Sequence, residues 1–141
     1  MTALRVLLVD DNPADLLLAQ EVFQDHPDVQ LVLFQRGAEA LDYLQHHEGR
    51  LPDVILLDIS MPVMTGFELL EKIKRDNVLL HIPVVMLTTS SHPGDVEQAY
   101  TLHANSYLVK SESFPEFMGQ VDTFVNYWQQ NRLMYRAHQP G

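Results

Sequence analysis

Residues 54–62 read Val-Ile-Leu-Leu-Asp-Ile-Ser-Met-Pro, and this aliphatic run followed by an aspartate is the strongest indication of the fold in the sequence. Four consecutive aliphatic residues are typical of a parallel strand that is covered on both faces. Asp58 follows the run at its carboxyl end, where open α/β sheets bind their ligands. The stretch therefore predicts a buried strand over residues 53–58 that delivers a carboxylate to a functional site. For Asp58 taken alone, a carboxylate that only caps the loop is the alternative interpretation.

Apolar runs and helical patterns alternate along the rest of the chain. Strands are predicted over residues 4–9, 29–34, 53–58, 82–87 and 107–109. The second strand alternates apolar and polar residues at its start, as a strand near a sheet edge does. Asn12 can cap the first helix, while Thr65 and Glu68 have the spacing of a capping box at the third. Five alternating strand–helix units predict one α/β domain, a parallel sheet with helices on both faces.

The composition limits the classes of function. The chain has 141 residues, the size of one domain, and its nine Lys and Arg against nineteen Asp and Glu give a formal charge of -10. A field of that sign repels phosphodiester backbones, so we expect no nucleic-acid binding. Without cysteine the chain has neither disulfides nor thiolate metal sites, which favours the reducing cytoplasm. Since no segment approaches the ~20 apolar residues of a membrane span, we expect a cytoplasmic protein without a membrane partner.

Three carboxylates follow the first and third predicted strands. Asp10 and Asp11 end the first strand as Asp58 ends the third. If these strands are neighbours, about 4.8 Å apart, the carboxylates converge at one mouth of the sheet. Like charges this close raise one another's pKa unless a counter-charge is present. A divalent cation would supply it, and oxygen ligands with no His or Cys nearby favour Mg²⁺. Ca²⁺ stays open, although the loop motif of an EF-hand is absent.

Two further strand ends carry complementary groups. Thr88 ends the fourth predicted strand with a hydroxyl, and Lys110 follows the fifth with a positive charge. Taken singly, such residues are more often a turn residue and a solvated side chain. Together with the carboxylates and a metal ion they would form a pocket for a phosphoryl group, whose oxygens bind a metal, a lysine and a hydrogen-bond donor.

This set of residues resembles the response-regulator receiver domains of two-component signalling. The matching pattern is Asp10-Asp11, Asp58-x-x-Met61-Pro62-x-x-x-Gly66, Thr88 and Tyr107-x-x-Lys110. With the final helix, the resemblance covers nearly the whole chain. Residues 103–111 and the aromatic end of the last helix further resemble the single-domain regulators that serve bacterial phytochromes. The resemblance implies a flavodoxin-like (βα)5 three-layer sandwich with a five-stranded parallel sheet of order 2-1-3-4-5.

The resemblance also implies the chemistry of the acidic residues. Asp58 would be the phosphoacceptor, and its carboxylate would attack a phosphohistidine of a sensor histidine kinase, in the narrower expectation a bacteriophytochrome. Asp11, Asp58 and the backbone carbonyl of Ser60 would bind Mg²⁺, and Asp10 would act through a metal-bound water. Such a protein would turn over only its own acyl phosphate, so we do not expect an enzyme acting on external substrates.

The other matching residues would stabilise the phosphoryl group and transmit its presence. Lys110 would pair with one phosphoryl oxygen, and the Thr88 hydroxyl would turn toward another. Tyr107 would move inward when Thr88 is drawn to the phosphate. This movement would reshape the face formed by helix four, strand five and helix five, as a shift between two existing packings.

Two positions depart from the family pattern. Ser111 follows Lys110 where most members have proline, and a cis peptide bond before serine would cost about 3–4 kcal/mol, so the isomer stays open. His103 stands where the family usually has glycine. Because a positive φ is strained for a residue with a Cβ atom, we expect helix four to end in a different way.

Apolar residues near the C terminus exceed what the predicted core needs. They are Tyr127, Trp128, Leu133, Met134 and Tyr135. Exposed patches of this kind often mark an interface. We therefore expect a receiver domain over residues 1–131 and a tail over residues 132–141 that contributes to a homodimer.

Two other classes of function share the fold class or the carboxylates. A Mg²⁺-dependent phosphohydrolase would use the same acidic residues on an external substrate and would turn over a small phosphate ester. A flavodoxin-like cofactor binder would need a phosphate-cradling loop after the first strand. Residues 10–13 read Asp-Asp-Asn-Pro there, so we expect no bound flavin.

Overall fold

The computed structural model of the protein describes residues 3–46 and 49–137, and it places side chains as far as residue 131. Within these ranges, five strands form a sheet: β1 (Leu4–Val9), β2 (Val29–Phe34), β3 (Val54–Leu57), β4 (Val84–Thr88) and β5 (Ser106–Val109). The strand order is β2-β1-β3-β4-β5, and each neighbouring pair is parallel. The predicted order 2-1-3-4-5 is confirmed, with β2 at an edge.

Helices follow each strand in the described part of the chain. They are α1 (Pro13–Phe23), α2 (Gly37–His46), α3 (Gly66–Arg75), α4 (Pro93–Thr101) and α5 (Phe114–Ala137), with a short 3-10 helix at Leu79–His81 before β4. The expected caps are present: the Asn12 side chain accepts from the Ala14 amide at 2.9 Å, and Thr65 and Glu68 make the reciprocal bonds of a capping box. Over the residues described, no helix combines the length and apolarity needed to cross a bilayer.

Hydrophobic side chains fill both faces of the sheet. Because neighbouring residues of a strand point to opposite faces, Leu8 packs with residues of α1 and α5, whereas Leu7 packs with residues of α2, α3 and α4. All four residues of β3 are buried, as expected for a strand covered on both sides. The result is the predicted three-layer α/β sandwich.

The last helix extends further than its apolar stripe predicts. Phe117, Val121 and Phe124 are buried against the sheet, whereas Tyr127 is 56% exposed. Because α5 runs to Ala137, the expected boundary after residue 131 falls inside a helix. The side chains of Leu133, Met134 and Tyr135, and residues 138–141 altogether, lie outside the described part of the structure.

The end of α4 contradicts the expectation for His103, which adopts a positive φ of 73°. Two hydrogen bonds explain why a residue with a Cβ atom is held there. The His103 amide donates to the Tyr100 carbonyl at 3.0 Å, and the Ala104 amide donates to the Ala99 carbonyl at 2.9 Å. These are the paired bonds of a Schellman motif, and Ala104 is buried. They offset a conformational cost of about 1–2 kcal/mol.

Candidate functional site

The register of β1 and β3 brings the predicted acidic residues together. Val9 pairs with Leu57, so the next residue of each strand emerges at the same edge, and the Asp58 amide donates to the Val9 carbonyl at 3.0 Å. Asp10, Asp11 and Asp58 each offer a carboxylate oxygen, and these oxygens lie within 4.8 Å of one another. Asp10 is 3% exposed, and the other two carboxylates are partly buried. The three carboxylates thus share one pocket at the carboxyl ends of β1 and β3.

The start of α3 supports the backbone that carries Asp58. The Gly66 amide donates to the Ile59 carbonyl at 2.9 Å. A Cβ atom at Gly66 would lie 2.1 Å from the Asp58 carbonyl oxygen, closer than any side chain allows. Only glycine therefore lets α3 begin this close to the end of β3.

The electrostatics of the pocket favour a bound cation. Burial, and next the charge of Asp10, raise the pKa of Asp58, although the charge of Lys110 and a hydrogen bond from the Thr88 hydroxyl oppose the shift. An oxygen-only donor set with this excess negative charge fits a hard divalent cation. Ser60, whose carbonyl is the remaining expected ligand, is exposed two residues after Asp58.

Lys110 reaches the same pocket from the end of β5. Its Nζ atom donates to Oδ2 of Asp10 at 2.9 Å and to Oδ2 of Asp15 at 3.2 Å. Burial lowers the pKa of the Lys110 ammonium, but the hydrogen bond and charge of Asp10 and the charge of Asp15 outweigh it, so the net pKa is raised. Asp15 escaped prediction because an acidic residue in the first turn of a helix is ordinarily explained by the helix dipole.

Thr88 and Tyr107 both contact Ser90 in the loop that follows β4. Thr88 is buried, and its Oγ1 accepts from the Ser90 amide at 3.4 Å. The Tyr107 hydroxyl donates to the Ser90 carbonyl at 2.8 Å, and the Ser90 hydroxyl donates to Asp95 in the first turn of α4 at 2.5 Å. Ser90 therefore links both expected switch residues to α4. No sequence signal marks it, because its backbone groups make two of these three contacts.

The peptide bond between Lys110 and Ser111 is trans, since no cis bond occurs in the described part of the chain. The Lys110 amide donates to the Thr88 carbonyl at 2.7 Å, which extends the pairing of β4 and β5 up to Lys110. This backbone hydrogen bond holds Thr88 and Lys110 beside each other at the edge of the pocket.

Comparison with known proteins agrees with this geometry. The family profile of the response regulator receiver domain matches residues 6–122. The probable methanogenesis regulatory protein FilR2 of Methanothrix harundinacea is 42% identical over 127 residues, which cover 87% of this chain and 82% of FilR2. The response regulator Rcp1 of Synechocystis is 38% identical over 128 residues, 87% of each chain.

Solved structures of two such regulators superpose closely on this fold. The phosphorylated cyanobacterial phytochrome response regulator RcpA has a TM-score of 0.86 at 34% identity and covers 92% of this chain and 96% of its own. The Mn²⁺-bound form of Rcp1 has a TM-score of 0.80 at 37% identity and covers 88% of this chain and 93% of its own. With the family profile spanning most of its length, the chain belongs to the response regulator receiver domain family of two-component systems, and it is similar to phytochrome-associated members.

Proposed function

We propose that the protein is a single-domain response regulator that accepts a phosphoryl group on Asp58 from a sensor histidine kinase. The observation that carries the proposal is the meeting of five side chains at one sheet edge: Asp10, Asp11, Asp58, Thr88 and Lys110. RcpA, which is similar over most of its length, has been crystallised in a phosphorylated form.

In the transfer step, a carboxylate oxygen of Asp58 attacks the phosphorus of a phosphohistidine. A phosphorus–oxygen bond forms, the phosphorus–nitrogen bond breaks, and the imidazole nitrogen keeps the electron pair and takes up a proton. The product is an acyl phosphate. Water later attacks the same phosphorus, which releases inorganic phosphate and restores the Asp58 carboxylate.

The neighbouring residues would neutralise the charge that develops. Mg²⁺, held by Asp11, Asp58 and the Ser60 carbonyl and by Asp10 through a bound water, would supply positive charge to the phosphoryl oxygens. Rcp1 binds a related ion, Mn²⁺. Lys110 would exchange part of its contact with Asp10 for a phosphoryl oxygen, because its ammonium already points into the pocket.

Phosphorylation would reach the surface through the loop after β4. A phosphoryl group that draws the Thr88 hydroxyl toward itself also removes the oxygen that now accepts from Ser90. The Ser90 carbonyl in turn accepts from Tyr107, so the loop, α4 and β5 would shift together. The surface formed by α4, β5 and α5 is therefore the proposed output face.

The partners follow from the relatives and from the exposed end of α5. The similarity to a phytochrome response regulator supports a phytochrome-type histidine kinase as the phosphoryl donor. A homodimer through α5 and the tail is supported by Tyr127, which leaves an aromatic ring 56% exposed. The net charge of -10 supports a protein that binds neither nucleic acid nor an anionic membrane, and the lack of cysteine supports a cytoplasmic location.

A transfer assay tests this function. The protein is incubated with Mg²⁺ and either labelled acetyl phosphate or a phosphorylated histidine kinase. We expect an acid-stable, base-labile label that is lost in Asp58→Asn and kept in Asp25→Asn, which changes an exposed aspartate. A wild-type protein that stays unlabelled with every donor would contradict the proposal. Turnover of small phosphate esters without a labelled protein would favour the phosphohydrolase instead.

A further inference from the structure

The side chain of Gln120 bridges the backbone on both sides of Lys110. Its Nε2 atom donates to the Val109 carbonyl at 2.7 Å, and its Oε1 atom accepts from the Ser111 amide at 3.0 Å. Both halves of one carboxamide are therefore used on the two peptide groups that flank the functional lysine. Gln120 lies on α5, about ten residues after Lys110 in the sequence.

Together with one backbone hydrogen bond, this bridge holds both peptide groups that flank Lys110. The peptide group that precedes Lys110 is held at its amide by the Thr88 carbonyl at 2.7 Å and at its carbonyl by Gln120. The peptide group that follows is held at its amide, again by Gln120. With both peptide planes tethered, the direction in which the Lys110 side chain leaves the backbone is set. The Nζ atom can then meet Asp10 at 2.9 Å.

The backbone amide of Ser111 needs a hydrogen-bond acceptor in the loop after β5. Serine has a backbone N–H that must find a partner when it is partly buried, whereas proline would have none. The loop is tied to α5 a second time, because the Ser111 hydroxyl donates to Glu116 at 2.7 Å and accepts from the Ser113 amide at 3.2 Å. The loop that carries Lys110 is thus attached to the first two turns of α5.

We propose that Gln120 is a positioning residue for Lys110: its carboxamide holds the two flanking peptide groups so that the ammonium reaches the phosphoryl group on Asp58. This inference rests on the proposed function and extends it to a residue of α5. The described hydrogen bonds of Gln120 go to backbone groups beside Lys110 and not to the pocket carboxylates, so we expect its effect on phosphorylation to pass through Lys110.

A double-mutant cycle separates this role from a general contribution to stability. The rate of Asp58 phosphorylation by acetyl phosphate and Mg²⁺ is measured for the wild type, Gln120→Met, Lys110→Ala and the double variant. Methionine keeps the length of the side chain and loses both hydrogen bonds. We expect Gln120→Met to slow phosphorylation on the order of tenfold, because small misplacements of a reacting group have effects of this size. In the Lys110→Ala background, the same change should have no further effect.

Two further variants keep the test decisive. Thr123→Ala alters an exposed polar residue of the same helix and should leave the rate unchanged. Gln120→Glu retains the acceptor for Ser111 and loses the donor to Val109, so it should also slow phosphorylation. It takes the place of Gln120→Met in the cycle if that variant does not fold. A wild-type rate in these Gln120 variants, or losses that add fully in the double variant, would overturn the positioning role. An unlabelled wild type would instead overturn the proposed function on which it rests.

Discussion

The backbone of Gly66 lies so close to the backbone of Asp58 that no side chain fits at residue 66, because a Cβ atom there would lie 2.1 Å from the Asp58 carbonyl oxygen. Gly66→Ala must therefore push the start of α3 away from β3. We expect a loss of about 1–3 kcal/mol in the free energy of unfolding, measured by urea denaturation, and slower phosphorylation of Asp58.

Gly119 provides the matched control for this substitution. A Cβ atom there would have no atom of the described residues within 4 Å, and the residue lies inside α5. Gly119→Ala should raise the free energy of unfolding by roughly 0.5–1 kcal/mol through helix propensity. Equal urea midpoints for the two alanine variants would show that the contact with Asp58 has no energetic consequence.

The positive φ of 73° at His103 predicts a stabilising substitution. Glycine adopts this conformation without the Cβ clash, so His103→Gly should raise the free energy of unfolding by about 0.5–1 kcal/mol, the relief of strain exceeding the added entropy of the unfolded chain. Gln98→Gly, at an exposed position inside α4, should lower it by about 1 kcal/mol. Destabilisation by both glycines in thermal or urea unfolding would argue against strain at His103.

The charge of Asp58 should destabilise the protein when no metal is present. Its folded-state pKa is raised, so between the unfolded and folded pKa values the native state binds more protons than the unfolded state. The free energy of unfolding therefore falls as pH rises through this window. Asp58→Asn, which has no such charge, should be more stable than the wild type at pH 7 in EDTA.

This advantage of Asp58→Asn should shrink as pH falls toward about 4 and disappear below it, where the Asp58 carboxyl group is protonated in both the folded and the unfolded state. Saturating Mg²⁺ should reduce it as well, because an ion that binds only the native wild-type site stabilises that state. A wild type that is more stable than Asp58→Asn at pH 7 without metal would contradict the electrostatic account of the pocket.

The hydroxyl of Tyr107 should contribute measurably to the stability of the fold. It donates to the Ser90 carbonyl at 2.8 Å, so Tyr107→Phe should cost about 0.5–1.5 kcal/mol in urea unfolding. Tyr100→Phe, on a ring that is 49% exposed, should cost less than about 0.5 kcal/mol. If the two substitutions changed the free energy of unfolding equally, the hydrogen bond between β5 and the loop after β4 would contribute nothing to stability.

Much of the fold was predictable because its signals are local. The run that precedes Asp58 has no polar residue, and β1 and β2 end where the apolar pattern stops, so their bounds agree with the prediction to the residue. The capping box at Thr65 likewise needs only four residues of sequence. The convergence of Asp10 and Asp58 needed one further step, the adjacency of β1 and β3.

Other features depend on contacts that sequence spacing does not reveal. Asp15 and Lys110 are separated by 95 positions, and their contact depends on tertiary packing that brings the start of α1 to the residue after β5. Gln120 meets the Lys110 loop through two side-chain hydrogen bonds to backbone groups, which no sequence pattern marks. His103 was judged by its intrinsic preference, whereas two backbone hydrogen bonds decide its conformation.

Site mapping of the phosphoryl group shows whether Asp58 is the phosphoacceptor. The wild-type protein is incubated with Mg²⁺ and acetyl phosphate or a phosphorylated histidine kinase, and its intact mass and peptide masses are measured before and after mild base. We predict a gain of one phosphoryl group, located on the peptide that contains Asp58, removed by base and absent from Asp58→Asn. No mass gain in the wild type with any donor, or a gain that persists in Asp58→Asn, would contradict it.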